Sequence, residues 1–142
     1  MNNVEVHLEF HYVRSPEDIS QIRTSLFNLP KMKRLELVKK CPFAPNVCIV
    51  NDELLLFIVA HARDTKMGRT ESTTQGIFNA YKTIRDSAEP EKRVEFLAPT
   101  TAVEPLLSMP GMHFESINEH LPPPSFHFQN RRSNTTICVR LG

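Results

Sequence analysis

The chain has 142 residues, 40% of them hydrophobic and 23% charged, with 9 Phe; that is enough apolar side chain for one buried core and excludes a wholly disordered chain. Seventeen Lys plus Arg stand against 16 Asp plus Glu, a formal net charge of +1, which excludes the overall positive field of a general nucleic-acid or membrane binder. No apolar run reaches the roughly 18 to 20 residues of a membrane helix, and the start MNNVEVHLEF is not that of a signal peptide, so one soluble intracellular domain without a membrane partner is expected.

Val4, Val6, Leu8, Phe10 and Tyr12 alternate with Glu5, His7, Glu9 and His11, the period of a strand with one buried face. Ser15, Pro16 and Asp18 have the order of an N-cap, a first-turn proline and an acid at the positive helix end, so a helix over about 16–28 follows. Residues 31–40, KMKRLELVKK, read as a second, short, basic helix. Pro42 and Pro45 flank a connector. The runs 47–50 and 54–60, separated by Asn51-Asp52-Glu53, read as a hairpin whose second strand, LLLFIVA, lies centrally with both faces covered. Residues 61–74 read as an exposed polar loop, and Ile77, Ala80, Tyr81 and Ile84 mark a helix to about Ser87. A strand over 93–98, a short helix over 101–109, a turn at Pro110-Gly111, a strand over 112–117 and a closing hairpin of 125–129 with 135–141 complete the chain. No internal repeat is evident. The fold class is therefore α+β, a single domain with a mixed, mostly antiparallel sheet and two or three helices packed on one face.

Four groups of residues bear chemistry. Glu5, His7, Glu9 and His11 share the polar face of the first strand, where two acids and two imidazoles suit a divalent metal or an acid–base pair, or serve simply as the wet face of a sheet. Lys66 and Arg69, with Thr70, Ser72, Thr73 and Thr74, run into a helix N-terminus, a place that favours phosphate, although no P-loop spacing occurs; Thr70 is also a candidate phosphorylation site. Lys31, Lys33 and Arg34 in the basic segment, with Arg131 and Arg132 in the last hairpin as companions, suit RNA phosphates or an acidic partner. His113, Glu115, Glu119 and His120 lie close in sequence but match no known ligand spacing. The three cysteines, Cys41, Cys48 and Cys138, read as reduced thiols, and no cofactor or resident metal is implied.

Leu8-Glu9-Phe10-His11 ahead of a capped helix resembles the opening of the Schlafen box over roughly the first twenty-five residues. His11 stands where that family usually has Lys, and no Gly-Gly stretch precedes the next strand, so the family's nuclease chemistry is not carried over.

The leading functional reading is a non-catalytic protein-interaction domain, an adaptor or subunit of a larger assembly that binds a protein partner through a sheet edge or an apolar groove. One alternative is an RNA- or phosphate-binding module using Lys31, Lys33, Arg34, Lys66, Arg69, Arg131 and Arg132. A second is a metal-assisted nuclease or hydrolase built on Glu5, His7, Glu9 and His11. Opposite-sign stretches along the chain leave homo-oligomerisation open.

Overall fold

The computed structural model describes residues 4–11, 13, 15–39, 48–86, 92–112, 114–118, 125–130 and 135–141. The elements run β1 (Glu5–Phe10), α1 (Pro16–Leu26), β2 (Met32–Lys39), α2 (Asp52–His61), β3 (Ala62–Arg69), α3 (Thr74–Arg85), β4 (Arg93–Ala98) and α4 (Thr100–Val103). A 3₁₀ turn over Glu104–Ser108 continues α4, and β5 (Phe114–Asn118), β6 (Ser125–Asn130) and β7 (Thr135–Leu141) follow.

The strands form one seven-stranded sheet in the order β1-β2-β3-β4-β7-β6-β5. The pairs β1 with β2, β2 with β3, β3 with β4 and β4 with β7 are all parallel, and only β6 and β5 join antiparallel. This overturns the expected α+β arrangement. The fold is α/β, built on five parallel strands and four helices, because βα units connect the first four strands, where a basic helix, a hairpin and a polar loop were expected over residues 31–74.

Three segments account for the difference. The basic stretch expected as a second helix is β2, in which the buried Leu35 and Leu37 alternate with the outward Arg34 and Glu36. The expected central strand LLLFIVA is α2: Asn51 caps it by accepting from Leu54 N–H at 2.9 Å, and Asp52 and Glu53 occupy the first turn. The expected polar loop is β3, which buries Ala62, Thr65 and Met67 and pairs with β2 and β4. Of the run 47–50, Val50 survives as a single parallel bridge to Thr70.

Other elements follow their local signals. Ser15 and Asp18 form a reciprocal capping box at α1, with Asp18 N–H donating to Ser15 Oγ at 3.2 Å and Ser15 N–H to Asp18 Oδ2 at 3.3 Å. Gly111, in the turn after the 3₁₀ segment, takes φ +91°, the left-handed region that glycine enters without a Cβ clash.

Strands β1 to β4 start at Glu5, Met32, Ala62 and Arg93, so a βα unit recurs every 27 to 31 residues and each new strand is added on the same side of the last. Right-handed crossovers that always advance in one direction place every connecting helix on one face of the sheet. The side chains obey this. Leu35, Met67, Val94, Phe96, Ile137, Val139 and Phe128 face inward and join Leu26 of α1, Leu54 and Ile58 of α2, Ile77 and Tyr81 of α3, and Val103 beyond them in one core. Open α/β sheets bind ligands in the crevice where adjacent connections leave toward opposite faces. Strands β1 to β4, with their helices on one side, form no such crevice among the described residues, which leaves the opposite sheet face and the sheet edge as the surfaces of this part of the fold.

Candidate interaction surface

Parallel register aligns the outward residues into rows across the sheet. One row runs Glu5, Arg34, Asp64, Arg93; the next runs His7, Glu36, Lys66, Glu95, Cys138. From β1 to β4 acidic residues alternate with basic or imidazole residues in both, which lowers the energy of each row and leaves no run of like charge. The face is a self-balanced polar surface.

At the β1 end these residues form a connected network. Glu9 takes His7 Nε2 on Oε1 at 3.2 Å and His11 Nε2 on Oε2 at 3.2 Å. Glu36 Oε2 lies 3.4 Å from His7 Nδ1 and 3.9 Å from Arg34. Glu5, exposed on the same strand, makes no ion pair among the described residues. A shallow depression of about 450 Å³ is bounded by Glu5, Val6, His7, Arg34 and Glu36. Among the described residues no group of three or more His, Cys, Asp or Glu is placed to hold a metal ion. The four sequence-picked residues of β1 thus lie spread along an open strand, with Glu9 shared by both imidazoles.

The hydrogen bond to Glu9 raises the pKa of His7 above its ordinary 6.5, against a smaller opposing desolvation, and Glu36 adds to the rise. The folded chain therefore holds this proton more tightly than the unfolded one. Its contribution to stability is complete below pH 6.5 and fades as pH rises through the folded midpoint. In a proton NMR titration His7 is expected to titrate above 6.5 and to return toward it in Glu9→Gln; an unshifted wild-type midpoint would contradict the network.

The basic residues singled out from sequence do not gather. Lys31 precedes β2, Lys33 and Arg34 begin it, and Arg69 ends β3, so the parallel pairing puts Lys31 and Lys33 at one end of the sheet and Arg69 at the other. Lys66 sits in register between Glu36 and Glu95. Arg131 and Arg132 lie outside the described residues, as do His113, Glu119, His120, the connector at Pro42 and Pro45, and the proline run 122–124. The N-terminus of α3 is already occupied by an anion: Thr73 N–H and Thr73 Oγ1 donate to the Asp52 carboxylate at 2.9 and 2.6 Å. Thr70 is buried, bonded to the Leu97 carbonyl and paired with Ser72, so its hydroxyl is not an exposed acceptor of phosphate.

Between β1 and α1 runs an apolar groove of about 440 Å³ lined by Leu8, Phe10, Ile22 and Leu26, with Asp18, Gln21 and Ser25 along the helix side. No residue of β2 lines it, so it opens at the outer side of β1, where no described strand pairs. Leu8, Phe10 and Ile22 are only partly buried there. The signal was present in the separate alternation of β1 and the helical spacing of Ile19, Ile22 and Leu26; their juxtaposition required the crossover.

Searches against family models, curated proteins and solved structures find no match to this chain. Roles for its residues therefore rest on the geometry alone.

Proposed function

We propose that the chain is a non-catalytic protein-interaction domain, an adaptor or subunit that engages an extended segment of a partner along the edge of β1 that no described strand pairs. The observation that carries this reading is the apolar groove flanking an edge strand. An edge presents a row of main-chain donors and acceptors to an added strand, while a neighbouring groove takes that strand's alternate side chains. The alternating charge rows favour this reading over RNA binding, which needs a continuous positive track for phosphates.

The test plugs the groove without touching the core. Ser25 is exposed on α1 at the groove wall. Ser25→Arg is expected to change stability by less than about 0.5 kcal/mol, as surface substitutions do. It should nonetheless reduce cross-linking to partners in native extract by about tenfold or more, whereas Asn79→Arg on α3 should leave it intact. A chain that cross-links to nothing, or equally in Ser25→Arg, would remove the proposal.

A further inference from the structure

We infer that β1 pairs antiparallel with β1 of a second copy of this chain, about a two-fold axis at Leu8 that sets His7 of each copy opposite Glu9 of the other. This rests on the edge-docking reading and names its partner. The main chain decides which residues can meet. The Val4 carbonyl accepts from Lys33 and Arg34 N–H at 2.8 and 3.4 Å, so Val4 turns its main-chain groups toward β2. Those groups point to opposite sides at successive strand positions. Val6, Leu8 and Phe10 therefore follow Val4, while Glu5, His7 and Glu9 present theirs to the side where no described strand pairs. A second β1 must set odd-numbered residues against odd-numbered ones. Facing side chains of an antiparallel pair also lie on the same side of the sheet, so polar face meets polar face and groove side meets groove side.

Side chains choose among the registers this leaves. An axis at His7 would oppose His7 to itself and Glu5 to Glu9; an axis at Glu9 would oppose the two Glu9 carboxylates. Like charges directly opposite are destabilising. The axis at Leu8 opposes His7 to Glu9 twice, and Glu5 to His11, the residue after β1, twice. The two charge rows that reach the edge at Glu5 and His7 then continue into an imidazole and a carboxylate. An imidazole donates to a carboxylate whether neutral or protonated, and a carboxylate accepts several donors, so Glu9 has room for the second copy's imidazole besides His7 and His11 of its own chain. On the other side Leu8 meets Leu8 and Val6 meets Phe10, all only partly buried in the single chain. The two α1 helices flank the seam, so the grooves lined by Leu8, Phe10, Ile22 and Leu26 open toward each other and close. Two seven-stranded sheets become one, and the two-fold axis ends the assembly at a dimer on this edge.

Sedimentation equilibrium of the purified full chain tests this, taken to about 0.5 mM because contacts smaller than a standard interface are weak. The wild type is expected to form a dimer, with the Glu5, His7 and Glu9 amides of 15N-labelled chain shifting as concentration rises. His7→Glu and Glu9→Lys, both at exposed positions, should each weaken the dimer by about tenfold, because each creates two unfavourable pairs across the axis. Mixed in equal amounts the two variants should recover it, since one crossing then joins an acid to a base and the other keeps the native acid and imidazole. A dimer that neither substitution weakens, or a mixture that associates no better than the separate variants, would overturn self-pairing about Leu8. A chain monomeric at every concentration, alongside cross-links in native extract that Ser25→Arg removes, would overturn self-pairing and leave docking of another protein standing. A monomer without such cross-links would refute the docking reading with it.

Discussion

Phe96→Ala is expected to destabilise the protein by about 3–5 kcal/mol, whereas Glu95→Ala, one residue earlier on β4, should cost about 1 kcal/mol or less. Phe96 is fully buried among the residues of the helix-covered core, and its removal leaves a cavity that packed neighbours refill only in part. Glu95 points to the other face, in register between Lys66 and Cys138, and stays partly exposed. Urea denaturation of the two variants reads the difference directly. Parallel strands are usually covered on both faces, which would make adjacent positions similarly costly. Comparable losses in Phe96→Ala and Glu95→Ala would show that the second face is packed, and would contradict the singly wound arrangement on which the interaction surface depends.

Gly76→Ala is expected to destabilise by about 1–3 kcal/mol, opposite in sign to the usual gain from replacing glycine inside a helix. The reason is a close approach. A Cβ on Gly76 would overlap the Asp52 carboxylate, which lies against the first turn of α3 and accepts from Thr73 N–H at 2.9 Å and Thr73 Oγ1 at 2.6 Å. Thr73 in turn caps the helix by accepting from Gly76 N–H at 3.1 Å. The two effects separate in a double-mutant cycle. Asp52→Ala alone should cost about 1 kcal/mol for the lost contacts, and Gly76→Ala made in that background should be neutral or stabilising. Additive losses would mean that the carboxylate does not set the requirement for glycine.

These expectations bear on how far the chain could be read before its structure. The strand β1 and the helix α1 were legible because each is announced within a dozen residues, by strict alternation and by the Ser15–Asp18 capping box. The amphipathic α3 and the hairpin of β6 and β7 were equally local. Misreadings fell where local signals conflict. Asn51-Asp52-Glu53 suits a tight turn and a helix start equally, and the apolar run after it suits a buried strand or a buried helix. The charge of residues 31–40 suggested a solvated helix, yet Leu35 and Leu37 also fit the period of a strand. In β3 the inward residues include Thr65 and Met67, too little apolar character to announce a central strand.

The polar residues of the candidate surface were visible in the sequence, but their grouping was not. Glu5, His7, Glu9 and His11 follow from alternation alone, whereas Arg34, Glu36, Lys66 and Glu95 join them only through register across β2, β3 and β4. The amino-acid sequence by itself determined which segments have an apolar side, where α1 begins, and that positive and negative charge nearly cancel. Tertiary structure decided the rest: that the strands lie parallel, that the helices share one face, and that an apolar groove opens beside β1. Parallel pairing joins residues some thirty positions apart, and no short-range preference of the backbone carries information over that distance.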